Sequence, residues 1–369
     1  MTRRGSPSTG KDQRASPSGT GRFQRRFADG FADDFFRPFA GGLAASSLGI
    51  GTYLGECDDA DDASYASAIR GALERGINVI DSSINYRCQR SERTVGNTLR
   101  AAIADGVVKR DEVIICTKGG YVPLDAAAPQ TRDDYLAYLQ RTFVDSGIVA
   151  AEDVVGGGHS LSPSFIAHQI KASQANLGVR TIDVYYLHNP EQQLDSVQPA
   201  RLRTILRRAF TLLEERVESG DIGCYGCATW NGLRTPPDAR GHLDLGELVG
   251  IARDVGGDDH HFRVVQLPIN LAMSEAIRVP TQRLGGRRVV PLLQATAELG
   301  ISVVASATLM QSRLTSELPA AVRDSFPSLA TDAQRALAFV RSLPGVTCAL
   351  VGMRALAHVD ENVASANRR

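Results

Sequence analysis

The chain has 369 residues, of which 43% are hydrophobic, so it can form one large domain or two average ones with a sizeable core. Its 41 basic residues balance its 41 acidic residues, so no global charge favours nucleic acid or an acidic membrane. No apolar stretch approaches the roughly 20 residues of a membrane span, and the N-terminus lacks the apolar segment of a signal peptide. We therefore expect a cytoplasmic protein without nucleic-acid or membrane partners, and the composition leaves its oligomeric state open.

The N-terminal segment differs from the rest of the chain in composition. Residues 1–26 contain seven basic residues and one acidic residue, and they are rich in Ser, Gly and Pro. Such a segment has too little apolar surface to offset the entropy lost on ordering. The sequence thus predicts a disordered basic tail over residues 1–30 and one folded domain over residues 31–369.

Short apolar runs alternate with helical patterns from about residue 46 onward. The predicted strands are 48–52, 79–81, 113–118, 183–188, 223–229, 262–267, 301–305 and 347–351. The predicted helices are 61–75, 91–104, 162–177, 199–219, 243–255, 290–299, 331–342 and 359–366, with a helical patch at 133–144 inside a long insertion, 119–161.

This alternation indicates parallel strands joined by helical crossovers. Eight such units favour an α/β fold of the (β/α)8 TIM-barrel type, with the insertion after the third strand. An open doubly wound sheet is the main competitor. It is disfavoured because no Gly-x-Gly-x-x-Gly follows the first strand.

Three of the predicted strands end in an ionisable side chain. Asp81, Lys118 and His188 close their strands, and Tyr86 follows five residues after Asp81. Active sites of (β/α)8 barrels lie at the carboxyl ends of the strands. We therefore expect the four side chains to meet at the barrel mouth.

Together these groups can deliver a proton to a carbonyl oxygen. A phenol has an ordinary pKa of about 10, and a nearby ammonium lowers it. Lys118 can supply that charge for Tyr86 if Asp81 holds it, and His188 can orient the carbonyl by a hydrogen bond. None of the four supplies a hydride, so a reduction would require a nicotinamide cofactor.

Other roles for these residues remain open at this point. Asp81 could cap a helix, Lys118 could be a solvated turn lysine, and His188 could satisfy a loop. Lys118 could also form a Schiff base in an isomerase or lyase. Cys224 and Cys227 form a CxxC pair, but on a strand they point to opposite faces, so we expect no metal or redox site there.

The chain resembles the aldo-keto reductases in several segments that follow that family's order. They are Gly-Ile-Asn-Val-Ile-Asp-Ser-Ser-Ile-Asn-Tyr at 76–86, Ser91-Glu92, Gly96, and the segments 113–118, 182–190, 265–266 and 351–362. The resemblance implies a (β/α)8 barrel that reduces an aldehyde or ketone with NADPH, or with NADH as the alternative. It also implies that Tyr86 is the general acid, that Lys118 and Asp81 tune it, and that His188 orients the carbonyl.

The resemblance further implies a cofactor site. The residues assigned to it are Thr229, Gln266, Ser306, Leu309, Gln311, Arg313, Gly352, Met353, Arg354, His358, Glu361 and Asn362. Gln266 matches the residue that holds the nicotinamide carboxamide, and Arg354 could pair with a 2′-phosphate.

Two cofactor positions depart from the family's pattern. Thr229 stands where the family often has an asparagine, and Ser306 stands where many members stack an aromatic ring on the nicotinamide. These weaker contacts keep open a second hypothesis, a slow or non-catalytic regulatory barrel that binds the cofactor.

The substrate pocket is predicted from loops at the barrel mouth. Tyr53, Cys88, His159 and Trp230 follow strands or lie in the insertion, and we expect them to shape a pocket for a small carbonyl or alcohol. The sequence names neither that substrate nor the physiological direction of the reaction.

Overall fold

The computed structural model describes residues 14–125, 129–286 and 288–367. Its strands are β1 (Phe36–Phe39), β2 (Leu43–Ser46), β3 (Leu48–Gly51), β4 (Val79–Asp81), β5 (Ile114–Gly119), β6 (Ile182–His188), β7 (Ile222–Ala228), β8 (Phe262–Pro268), β9 (Pro280–Leu284), β10 (Arg288–Pro291), β11 (Ser302–Ser306) and β12 (Val346–Val351). Its helices are α1 (Pro17–Phe27), α2 (Asp59–Glu74), α3 (Arg90–Ala104), α4 (Arg132–Leu139), α5 (Pro163–Leu177), α6 (Pro199–Glu218), α7 (Leu245–Gly256), α8 (Glu275–Arg278), α9 (Leu292–Leu299), α10 (Ala320–Ser325), α11 (Asp332–Ser342) and α12 (Leu356–Ala364).

Eight parallel strands close into a barrel in the order β3, β4, β5, β6, β7, β8, β11 and β12. The barrel is closed by β12, which pairs with β3 in a register that places Ala349 opposite Leu48. All eight predicted strands are thus confirmed, and the (β/α)8 fold replaces the open-sheet alternative. An open sheet would have left β3 and β12 without this pairing.

Side chains alternate between the barrel interior and the helical layer. Val184 and Tyr186 on β6 pack in the interior, whereas Tyr185 and Leu187 pack against the outer core. On β7, Cys224 packs at the interior and Cys227 in the outer core, as expected for side chains three residues apart on a strand.

The N-terminal segment forms a helix, so the predicted disordered tail is wrong for residues 17–27. The Ser16 side chain accepts a hydrogen bond from the Gly19 N–H at 2.9 Å and caps α1, and Pro17 starts it. Phe23 is fully buried and packs on Phe27 and Phe36. Two phenylalanines in a basic segment are enough to anchor this helix of 11 residues, a signal that the average composition obscures. Residues 1–13 lie outside the described residues.

The hairpin of β1 and β2 closes one end of the barrel together with α1. Phe39, Leu43 and Ala45 join the interior cluster that contains Val79 and Ile114, the first interior residues of their strands. The opposite end, where the strands finish, is therefore the open mouth. This hairpin and the second one, β9–β10, were not predicted. Val290 pairs with Gln282 and therefore belongs to a strand, so the helix predicted from residue 290 begins only at Leu292.

The insertion after β5 forms a compact loop whose two ends lie side by side. It contains α4 and one π-helical turn, Gln140–Val144, which match the predicted helical patch at 133–144. Its small apolar cluster includes Phe143 and reaches Phe165 on α5. The Ser160 N–H donates to the Gly120 carbonyl at 2.8 Å, so the two ends of the insertion meet. Within the described ranges, none of the helices has the length and apolar character needed to cross a bilayer.

Candidate active site

An open cleft with a cavity volume of about 190 Å³ lies at the carboxyl ends of the barrel strands. Asp81, Tyr86 and His188 are on its wall. Lys118 lies behind them, 1% exposed. The structure therefore brings together the four side chains that the sequence singles out.

Lys118 and Asp81 form a buried ion pair. The Lys118 Nζ lies 2.5 Å from Asp81 Oδ1 and also donates to the Ser82 carbonyl at 2.7 Å. The Gln266 amide donates to Asp81 Oδ2 at 2.8 Å, so both carboxylate oxygens are engaged. Burial lowers the pKa of Lys118, but Asp81 and Tyr86 outweigh burial and the net direction is upward. Lys118 is therefore a charged, buried amine.

These contacts decide between the roles that the sequence leaves open. Asp81 accepts hydrogen bonds from Lys118 and Gln266, so its carboxylate does not cap a helix. Lys118 is not a solvated turn residue, because its side chain is 1% exposed. A Schiff-base role requires a neutral amine that a substrate can reach, and the buried, paired ammonium opposes that role.

The Tyr86 phenol lies next to this ion pair. Its ring centroid is 4.9 Å from the Lys118 Nζ. Burial raises the pKa of Tyr86 more than Lys118 lowers it, so the net direction is upward. The expected lowering by the ammonium is thus present but smaller than the effect of burial. The phenol therefore carries its proton at neutral pH.

His188 faces Tyr86 across the mouth, with ring centroids 5.9 Å apart. Burial lowers its pKa well below the ordinary value, and Lys118 and His159 add to this effect. The imidazole is therefore neutral at pH 7. Its Nδ1 lies 3.3 Å from the Ser83 Oγ, which fixes the orientation of the ring. A neutral imidazole can form a hydrogen bond with a substrate oxygen without adding charge.

Two of the four predicted pocket residues lie on the cleft wall. Tyr53 and Trp230 line the cleft, and both are exposed. The Tyr53 ring meets the Tyr86 ring edge-on at a centroid distance of 5.0 Å.

Cys88 and His159 do not line the cleft, so the prediction of a pocket role is wrong for both. Cys88 is turned toward Cys57, with the two Sγ atoms 3.0 Å apart. His159 is fully buried. Its Nε2 lies 2.8 Å from the His188 carbonyl oxygen and its Nδ1 lies 2.7 Å from the Gln193 amide. Both imidazole nitrogens therefore form hydrogen bonds that hold the insertion against the end of β6.

The predicted cofactor residues separate into two groups. Those on the cleft wall are Thr229, Gln266, Ser306, Leu309, Gln311 and Gly352. The Thr229 Oγ1 is buried and has no hydrogen-bond partner among the residues that the structure describes, although it lies in the same cleft as the Gln266 amide. A buried hydroxyl of this kind is costly unless a ligand satisfies it, so the site fits a polar group such as a carboxamide.

The other predicted cofactor residues are engaged elsewhere or lie off the cleft wall. The Met353 side chain packs in the core. Arg354 Nη1 lies 2.8 Å from Asp61 Oδ1. Glu361 accepts from the Thr331 hydroxyl at 2.7 Å. The remaining three, Arg313 and His358 on the surface and Asn362 buried in α12, do not line the cleft.

Several residues that position the site were not predicted. Asn189 lines the cleft in a left-handed conformation with φ of 47°, and its N–H donates to the Ala228 carbonyl at 2.6 Å. One oxygen of Glu191 accepts the N–H groups of Trp230 and Asn231 at 2.7 and 3.0 Å and so fixes the loop that carries Trp230. The only signal in the sequence is their place just after His188.

Comparisons with known proteins show which family the chain is similar to. The model of the Aldo/keto reductase family matches residues 47–323. Prostaglandin F synthase 1 of Bos taurus is 22% identical over 223 residues, which cover 60% of this chain and 50% of that protein. Prostaglandin-E(2) 9-reductase of Oryctolagus cuniculus is 24% identical over the same shares. The chain thus spans about half the length of the curated relatives that it matches.

Solved structures show the same fold. A crystal structure of an aldo/keto reductase from Klebsiella pneumoniae in complex with NADP and acetate superposes with a TM-score of 0.60 at 20% identity, covering 90% of this chain and 89% of that one. The holo form of an aldo-keto reductase from Bacillus halodurans superposes with a TM-score of 0.57 at 19% identity, covering 89% and 90%. With three quarters of its length matched by the family model, the chain belongs to the aldo/keto reductase family.

Proposed function

We propose that the protein reduces an aldehyde or ketone to an alcohol with NADPH, or catalyses the reverse reaction, and that Tyr86 moves the proton. The observation that carries this proposal is the position of Tyr86 and His188 on the cleft wall beside Asp81, with the buried Lys118 paired to Asp81 behind them. This arrangement puts a protonated phenol, a neutral imidazole and a fixed positive charge at one point.

The cleft also supports the choice of cofactor. Thr229 and Gln266 would hold the carboxamide, and Leu309, Gln311 and Gly352 would line the path toward the adenosine end. Bound NADPH, or NADH as the alternative, supplies the hydride. Two of the structural neighbours, both from Klebsiella pneumoniae, are complexes with NADP and NADPH.

The chain's own residues handle the proton. His188 orients the carbonyl oxygen by a hydrogen bond, and Tyr86 gives its proton to that oxygen as negative charge develops there. The phenolate left behind is stabilised by the ammonium of Lys118, which Asp81 holds in place. In the reverse direction the same phenolate accepts the proton of an alcohol.

We further propose that the substrate is a neutral molecule with an apolar or aromatic face. Tyr53 and Trp230 offer exposed rings beside Tyr86. Among the described residues that line this cleft, Asp81 is the sole carboxylate and there is no lysine or arginine, and Asp81 is already engaged by Lys118 and Gln266. The cleft therefore offers no free charge to bind a carboxylate or an ammonium group.

A cofactor titration followed by a substrate panel tests the proposal. Purified protein is titrated with NADPH and NADH by fluorescence, and neutral, anionic and cationic carbonyl compounds are then followed at the absorbance of the reduced cofactor. We expect NADPH binding and the fastest turnover with neutral aromatic or alicyclic carbonyls. Absence of cofactor binding would contradict the proposal. Binding without any turnover would instead favour the regulatory barrel, whose support is Thr229 in place of an amide and Ser306 in place of a ring.

A further inference from the structure

Two cysteines meet beside the Tyr86 turn. Cys57 lies in the loop between β3 and α2, and Cys88 lies two residues after Tyr86. Their Sγ atoms are 3.0 Å apart. This is closer than the roughly 3.5–4.0 Å at which carbon atoms in van der Waals contact rest, although sulfur is the larger atom. Two loops that are 31 residues apart in the chain therefore present their thiols to each other.

The pair is held by contacts other than those of the thiols. Arg87 Nε donates to the Glu56 carbonyl at 2.7 Å and Nη2 donates to the Asp58 carbonyl at 3.3 Å. The residue before Cys88 thus binds the carbonyls on both sides of Cys57. The guanidinium also pairs with Asp62 at 2.7 Å. Arg87 is 5% exposed, so this clamp is part of the packed structure.

The backbone at the second cysteine is fixed in an unusual conformation. Arg87, Cys88 and Gln89 have φ angles of 47°, 51° and 67°. Residues other than glycine keep this left-handed conformation only where their surroundings impose it. The direction of the Cys88 side chain is therefore set by the turn and leads to Cys57.

The two thiols differ in access to solvent. Cys57 is half-buried, whereas Cys88 is 5% exposed. Burial and the neighbouring Cys57 raise the pKa of Cys88 to about 12. Cys57 is therefore the thiol that an oxidant in solution meets first, and Cys88 is the thiol already in contact with it.

We propose that Cys57 and Cys88 are an oxidation site that forms an intramolecular disulfide next to Tyr86. With a peroxide as oxidant, Cys57 attacks the O–O bond and becomes a sulfenic acid, while one oxygen leaves as water. The Cys88 sulfur then attacks the Cys57 sulfur, the S–O bond breaks and a second water leaves. Two thiols and one peroxide thus give one disulfide and two waters, and a dithiol reductant reverses the change.

The disulfide would couple the redox state to the cleft. It would join the loop that carries Tyr53 to the turn that carries Tyr86, and those two rings are already in contact. The sulfurs must move from 3.0 Å apart to a bond length of about 2.05 Å. Shifts of about 1 Å near reacting groups can cost up to 100-fold in rate. We expect oxidation to slow turnover at least about tenfold. This effect on turnover rests on the proposed function, whereas formation of the disulfide does not.

Peptide mapping tests the site directly. The full chain is reduced, freed of reductant, treated with hydrogen peroxide, alkylated and digested without reductant. The expected product is a pair of peptides joined through Cys57 and Cys88, with a mass equal to their sum less two hydrogen atoms. Alkylated Cys88 together with a sulfinic or sulfonic Cys57, and no joined peptide, would overturn the proposal.

Two variants and an activity assay complete the test. Cys57→Ser should abolish the joined peptide, and Cys224→Ser, which removes a half-buried cysteine on β7, should leave it intact. Where the reduced protein turns over a carbonyl, peroxide should slow wild type and dithiothreitol should restore it, while Cys57→Ser should be insensitive. A joined peptide with unchanged turnover would refute the coupling. A reduced protein that is inactive would count against the proposed function, not against the disulfide.

Discussion

Burial determines the state of each ionisable group at the mouth. A charge taken out of water is tolerated when a partner and hydrogen bonds satisfy it. Lys118 meets this requirement through Asp81 and the Ser82 carbonyl. Burial, Lys118 and His159 lower the pKa of His188, so its imidazole stays neutral, and the Tyr86 phenol keeps its proton. The same burial thus produces a cation, a neutral base and a proton donor within one site.

The ion pair is expected to affect stability and activity separately. Asp81→Asn leaves the Lys118 charge buried without its counter-charge, and we expect a loss of about 3–5 kcal/mol in the free energy of unfolding. Removing both charges, as in Asp81→Leu with Lys118→Met, should recover much of that loss but stay inactive. Denaturant unfolding and steady-state kinetics measure the two effects. A double variant as unstable as Asp81→Asn would contradict this explanation.

Acid should destabilise the protein through its buried histidines. Burial lowers the pKa of His159 from its ordinary 6.5 to about 4. The unfolded chain therefore binds this proton more readily than the folded one, so stability is complete above pH 6.5 and is lost as pH falls toward 4. The contribution of His159 is about 3 kcal/mol.

The matching experiment compares the unfolding free energy of wild type and His159→Gln at several pH values. The variant cannot titrate at this position, and its amide can still donate to the His188 carbonyl. We expect a shallower loss of stability between pH 6.5 and 4 in the variant. Equal slopes for the two proteins would show that His159 is not responsible.

The sequence predicts the site residues unequally well. Asp81, Lys118 and His188 are visible because each one ends a strand, and strand ends are where a barrel places its chemistry. His159 is not predictable in this way. Its three preceding glycines indicate a loop, but its place is fixed by Gln193 and the His188 carbonyl, which are distant in sequence.

At the scale of elements, strands are easier to predict than the segments that seal the barrel. Short apolar runs mark the eight barrel strands, because both faces of each strand are buried. Helix α1 was missed because its apolar contacts come from few residues within a basic segment. Hairpin β1–β2 was missed because Arg37 and Pro38 interrupt the apolar residues of β1, and β2 consists of Leu, two Ala and Ser without a β-branched residue.

The contribution of α1 can be measured. Phe23 is fully buried between α1 and β1, so Phe23→Ala should lower the free energy of unfolding by about 3–5 kcal/mol. Arg25→Ala, at an exposed position on the same helix, should change it by less than about 0.5 kcal/mol. Chemical denaturation of the two variants checks the difference. A small effect for Phe23→Ala would mean that α1 is not docked on the barrel.

At the scale of the whole molecule, the closed barrel places the four ionisable residues and the predicted cofactor residues of the cleft at the same end of the strands. The alternation of strands and helices predicts this fold, and the pairing of β12 with β3 completes it. The sequence does not show which cofactor residues reach the cleft, because this depends on how the segment after β12 turns. The Met353 side chain points into the core, whereas Arg354 reaches Asp61 on α2.

Arg354 provides a test of cofactor choice. Its guanidinium is 53% exposed beside Asp61 and can turn toward a phosphate at the end of the cleft near Gly352. Arg354→Ala should weaken NADPH about tenfold, which corresponds to about 1.4 kcal/mol, and leave NADH unchanged within about twofold. Fluorescence titration with the two cofactors measures both constants. An equal loss for NADPH and NADH would exclude a contact with the 2′-phosphate.

The most direct test of the central claim compares turnover and cofactor binding in Tyr86→Phe and Tyr53→Phe. Both variants remove a phenolic oxygen from the same cleft wall, and the two rings are in contact. We predict that Tyr86→Phe lowers kcat by about 10²–10⁴-fold with little change in NADPH affinity, while Tyr53→Phe stays within about tenfold of wild type. Unimpaired turnover in Tyr86→Phe would contradict its role as the proton donor.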